Sequence, residues 1–234
     1  MSVFRRIALG VLLALSVSAL PLAAEAGAIA IESADTTFNV PVVTYKEMHF
    51  RRVVRQAYDF SCGSAALATL LTYHYRQPLA EDVVLKAMFD VGDQDKIKQE
   101  GFSLLDMKKY LESIGLRAEG YQVDLDKIAE VGIPGIVLIK TKGYLHFVVL
   151  KGIRGDEVLI GDPAQGAKFM PREKFKEIWT NDIFFVIVGN TREAKKEFNR
   201  SEDWSMVAQG PLATAVARQS LSTLMLTLPG RNSF

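Results

Sequence analysis

Gln56-Ala57-Tyr58-Asp59-Phe60-Ser61-Cys62-Gly63-Ser64-Ala65-Ala66-Leu67 is the stretch on which the reading of this chain turns. It sets the sole cysteine where a loop gives way to a helix. Ala66, Leu67, Leu70 and Leu71 follow at i, i+1, i+4 and i+5, one apolar stripe at helical period, so a helix is predicted over 62–75 and ended by Gln77-Pro78. A helix N-terminus presents unsatisfied N–H groups and partial positive charge, which favour a thiolate. Small residues after Cys62 leave room for a substrate backbone. Gln56 offers an amide that, with the Cys62 N–H, makes an oxyanion hole. The bland alternative stays open here: Cys62 as a small buried residue and Gln56 as a surface polar one.

Around this stretch the chain reads as helices first and strands second. Helical segments are expected over 80–89, from an N-cap at Ser103 to about Ile114, and over 124–131, with the polar run 92–100 read as an exposed loop. Short runs rich in Val, Ile and Phe over 136–140, 146–153, 157–160 and 184–188 read as strands, bounded by Gly143, Gly155 and Gly161-Asp162-Pro163. That order predicts an α+β domain of two lobes. Its boundaries are expected at 46–189, after an arm over 27–45 and before a C-terminal helical extension over 190–234. Residues 212–228 of that extension have one apolar side that could dock back on the domain, bind a partner or touch a membrane, and truncation near Asn190 is expected to leave thiol reactivity intact.

The remaining 3 histidines and the aspartates supply candidate partners for the sulfur. His74 lies twelve residues beyond Cys62 in the same helix, about 18 Å along its axis, and reads as an exposed or helix-packing residue. His49 reads as a surface residue. His146 heads the apolar strand His146-Phe147-Val148-Val149-Leu150, where a titratable group at a sheet edge is placed to act as a base. A hairpin turning at Ile153–Gly155 pairs residue 146 with 162, and a two-residue Gly155-Asp156 loop pairs it with 165. Either register leaves Asp162 beside His146, able to orient the imidazole. A simple Asp-Pro turn explains Asp162 equally well.

Composition bounds the partners. The 234 residues carry 28 Lys+Arg against 27 Asp+Glu, with 49% apolar content, so a globular chain is expected and no basic excess points to nucleic acid. Arg5 and Arg6, the apolar run over 7–23 and Ala24-Glu25-Ala26 have the pattern of a cleaved signal peptide over 1–26, with no stable membrane span afterwards. Such a chain enters an oxidising, periplasmic compartment with one unpaired thiol: reactive, paired between chains, or buried and inert.

The blocks Gln56-x-x-Asp59-x-Ser61-Cys62-Gly63, His146-Phe147-Val148-Val149-Leu150 and Asp162-Pro163-Ala164-x-Gly166 resemble, in order, the C39 peptidase family. The resemblance covers about 50–188 and implies a papain-like fold, its helical lobe carrying Cys62 and its antiparallel sheet lobe carrying His146 and Asp162. It implies Cys62 as nucleophile, His146 as general base then acid, Asp162 as orienter and Gln56 in the oxyanion hole, with no metal or organic cofactor. The partners implied are a polypeptide substrate and a secretion or outer-membrane export component. Ser61 departs from the exporter-fused members, which commonly carry an acidic residue there, and is similar to the stand-alone exported branch. Two other readings are a non-catalytic peptide-binding module and another thiol acyl-transfer enzyme, a cell-wall amidase or transglutaminase.

Overall fold

The structure is a computed structural model and describes residues 28–33, 36–41, 44–141, 143–189 and 191–208. The segment over 1–26 read as a signal peptide and the apolar stretch over 212–228 lie outside the described residues. Two compact units divide the chain at Val43/Thr44. Within the first, β1 (Ala28–Ser33) and β2 (Thr36–Pro41) pair as an antiparallel hairpin.

The second unit begins with α1 (Tyr45–Phe50), whose Thr44 and Glu47 form a capping box. Then come α2 (Cys62–His74), α3 (Glu81–Val91), α4 (Gln94–Glu100) and α5 (Leu104–Ser113). The loop expected over 92–100 is thus largely a helix. Asp93 caps it by accepting from the Lys96 N–H, and Ile97 is its single buried side chain, so hydrophobic periodicity had almost nothing to register. Ser103 caps α5 as expected, through a reciprocal bond with Asp106.

After α5 the chain forms β3 (Arg117–Gln122), α6 (Leu125–Val131), β4 (Gly135–Thr141), β5 (Tyr144–Arg154), β6 (Glu157–Asp162), β7 (Gly166–Pro171), α7 (Arg172–Ile178) and β8 (Trp179–Val188). Six strands make one antiparallel sheet in the order β3-β8-β4-β5-β6-β7. Alternation divides its side chains. Phe147, Val149, Ile136 and Phe185 join Leu67, Leu70, Met107 and Leu111 in a core under α2 and α5. Val148, Leu150, Val158, Ile160 and Phe184 face the other way, onto Leu125, Ile128 and Phe175 of the short helices α6 and α7.

The described part of the chain beyond Gly189 packs onto the domain. Residues α8 (Thr191–Glu197) and α9 (Ser201–Ala208) follow β8 within the same unit. Ala194 is fully buried in the first core, Phe198 belongs to the second, and Trp204 is buried against the Phe169 ring at 6.0 Å. Removing that much apolar surface would leave both cores open.

Candidate active site

The site forms where α2 begins and where β5 and β6 part. Their last paired residues are Val149 and Gly161, which leaves His146 and Asp162 at an open mouth. The register there was not the one either simple turn predicts. The hairpin closes with a two-residue loop, Arg154 opposite Glu157, and then slips by one residue between Leu150 and Gly152. This bulge at Lys151 lets Ile153 and Leu150, three residues apart, share a face with Val158 and Ile160. By alternation His146 then falls on the face of Asp162; without the bulge Phe147 would take its place.

The resulting contact is short. His146 Nε2 lies 2.7 Å from Asp162 Oδ1, which leaves Nδ1 as the nitrogen able to serve the sulfur. Asp162 is fully buried yet well supplied with donors. Its Oδ1 accepts from the Ala164 and Gln165 N–H groups at 2.9 and 3.2 Å, and Lys168 Nζ donates to Oδ2 at 2.8 Å. Burial alone would raise its pKa, but the bonds from His146 and Lys168 outweigh this and hold the carboxyl well below the usual range. Burial likewise opposes charge on His146. Hydrogen bonds to Asp162 and to Cys62 overcome it and push the imidazole up to about 9.

Cys62 itself is half-buried at the first turn of α2. Ser61 precedes the helix without capping it: its hydroxyl donates to Tyr58 O at 3.0 Å and accepts from the Tyr58 N–H at 3.1 Å. Among the described residues no side chain is bonded to the first-turn N–H groups of this thirteen-residue helix. Gln56 Nε2 gives one hydrogen to Tyr58 O at 2.9 Å, and its backbone N–H donates to Pro163 O at 3.0 Å, tying this segment to the Asp162 turn. Gly63 serves differently from its expected role. A Cβ there would meet Met107 Cε and Phe102 Cβ at 3.0 Å, so its missing side chain lets α2 pack on its neighbours rather than admitting a substrate. A cleft of about 830 Å³ opens from Cys62 between Phe60, Phe102, Leu105, Tyr144 and Leu145.

The other two histidines sit elsewhere. His74 is fully buried, and burial, with Lys151, Arg52 and Arg200 nearby, keeps its pKa well below the ordinary imidazole value. His49 is not a simple surface group, since its Nδ1 lies 2.6 Å from Ala167 O. Lys168 escaped the sequence reading; a lysine two residues past a turn glycine carries no signal until β7 is known to return beside Asp162, opposite Gly166.

Residues 51–191 match the Peptidase C39 family. The chain belongs to that family. Proteins named probable functional amyloid protease FapD are similar to this C39 chain. The one from Pseudomonas fluorescens is 46% identical over 148 residues, and the one from Pseudomonas aeruginosa 43% over the same length. In both cases the alignment covers 63% of this chain and 65% of the relative, so this C39 chain spans just under two thirds of their length. Among solved structures, a double glycine motif protease from an AMS/PCAT transporter in complex with the leader peptide is 32% identical. It covers 58% of this chain and 89% of its own, with a TM-score of 0.48.

Proposed function

We propose that this protein is an exported cysteine endopeptidase that cleaves a periplasmic or secreted polypeptide, in support of functional amyloid export. The observation that carries the reading is His146, hydrogen-bonded to Asp162 at 2.7 Å on one nitrogen and in hydrogen-bonding reach of Cys62. An imidazolium beside a sulfur activates the thiol as a nucleophile. The thiolate attacks the scissile carbonyl, and the oxyanion is stabilised by the Cys62 N–H and the second N–H of the Gln56 amide. His146 gives its proton to the departing amine, leaving a thioester on Cys62. It then takes a proton from water, whose oxygen attacks the thioester, and the acid product leaves with the thiolate restored. Asp162 keeps the imidazole oriented throughout and stabilises it in the steps in which it carries the proton.

Export through the signal sequence over 1–26 and residence in the periplasm fit a lone thiol without a disulfide partner. The amyloid assignment draws on the relatives named functional amyloid proteases. A polypeptide substrate and an outer-membrane or secretion component are the partners this role implies. Mass spectrometry of exported proteins from cells carrying the wild-type chain or Cys62→Ser tests the reading. New termini present only with the wild type are expected, and identical termini in both would overturn it.

A further inference from the structure

A strand bulge leaves backbone groups without ladder partners. At Lys151 they are taken up by the turn between α8 and α9. The Asn199 N–H donates to Lys151 O at 3.0 Å, Asn199 Nδ2 donates to Ile153 O at 2.9 Å, and Arg154 Nη2 donates to Asn199 O at 2.6 Å. Asn199 does this from the left-handed region, at φ 58°, which asparagine tolerates better than most residues. Gly152 makes the approach possible: a Cβ there would collide with Asn199 Oδ1 and crowd its Cα at 3.1 Å.

The Lys151 side chain is held from the same segment. It is fully buried, with Nζ 2.9 Å from Asp203 Oδ2 and 3.1 Å from Arg52 O. Asp203, also fully buried, lies 3.0 Å from Arg52 Nε, and Glu197 Oε2 lies 2.6 Å from Arg52 Nη2. Deleting one partner of a buried ion pair strands the other charge in a low dielectric, which is strongly destabilising. Glu197, Asn199 and Asp203 all lie beyond residue 191, where the family match ends.

We infer that Asn199 and Asp203 are positioning residues: from outside the matched domain they pin the β5 bulge in the register that presents His146 to Asp162. This rests on the reading of Cys62, His146 and Asp162 as the catalytic group. Neither residue touches the site, so their effect must travel through the strand. The four strand residues between Lys151 and His146 are buried and closely packed, so a slip at the bulge moves His146 rather than dissipating.

The test uses the full chain with Asp203→Asn and with Asn199→Gly, the latter keeping the left-handed backbone while deleting the bond to Ile153 O. The readouts are the titration midpoint of the His146 ring by NMR and the kcat and KM of peptide cleavage. The midpoint is expected to fall by one pH unit or more in each variant, with kcat down at least tenfold and KM within about twofold. Asp203→Glu is expected to recover part of both. A lowered Tm with midpoint and kcat unchanged in the folded fraction would make the segment merely structural and overturn the inference. Should Asp203→Asn not fold, Asn199→Gly decides alone by the same criteria. A wild-type midpoint raised to about 9 and unmoved by either variant sinks this inference and leaves the peptidase reading standing, whereas a wild-type midpoint near the ordinary imidazole value of about 6.5 sinks both.

Discussion

Asp162→Asn is the most informative single change in the site. The substitution keeps the size of the side chain and removes the charge that holds the imidazolium. With the carboxylate present His146 is pushed up to about 9; without it, burial opposes the charged ring and Cys62 alone still favours it, so the midpoint falls toward about 6.5. At pH 7.5 a fall all the way to 6.5 would lower the protonated fraction from about 97% to about 10%. The corresponding free energy is at most about 3–4 kcal/mol, reduced by solvent screening because the ring is partly open to the cleft. Loss of the orienting bond adds to the loss of charge, and kcat is expected to fall by on the order of 10²–10⁴. NMR titration of the histidine rings, with His146 assigned by its absence in His146→Gln, measures the midpoint directly. A midpoint in Asp162→Asn within half a unit of the wild type would refute the electrostatic reasoning.

The same pair makes stability depend on pH. His146, raised in the folded state, contributes fully below about 6.5 and loses its contribution as pH rises through about 9. Asp162, depressed in the folded state, contributes above about 3.9 and loses its contribution as pH falls below that. The stability gap between wild type and Asp162→Asn, measured by urea unfolding, is therefore expected to be widest between about pH 4 and 6.5 and to close at alkaline pH; a gap that widens above pH 9 contradicts the assignment. Lys168→Met removes a cation from beside the pair, so the His146 midpoint is expected to rise slightly rather than fall, while looser anchoring of Asp162 lowers kcat severalfold. Gly63→Ala forces a methyl against Phe102 and Met107 and is expected to cost about 1–3 kcal/mol in thermal or urea unfolding. Ser103→Ala breaks the capping box of α5 and is expected to cost about 1 kcal/mol.

How far the chain could be read from its residues follows from the kind of signal each element carries. The Cys62 helix announces itself by a loop-to-helix transition and an apolar stripe, and its bounds agree within a residue. β4, β5, β6 and the second half of β8 are apolar runs and were legible for that reason. β3 was not, because only Ala118 of its six residues is buried and no alternation develops. β7 and α7 follow Pro163 and Gly166 in a segment whose structure depends on partners far along the chain. Proximity of Asp162 to His146 survived an error in register only because the bulge at Lys151 returned the right face. A fully buried lysine gives no hint of that from sequence; its partner Asp203 lies 52 positions away, in a segment read as separable.

Peptide cleavage by this site requires Cys62 to form and release a covalent acyl intermediate. Mixing the purified wild-type chain with unfolded exported polypeptides, quenching in acid within the first turnovers and mapping the peptides by mass spectrometry tests this directly. A peptide joined to Cys62 as a thioester, accumulating early and turning over, absent from Cys62→Ser and scarcely formed in Asp162→Asn, is the predicted result. Polypeptides cut at the same rate by Cys62→Ser, or bound by the wild type with neither adduct nor cleavage, would contradict it.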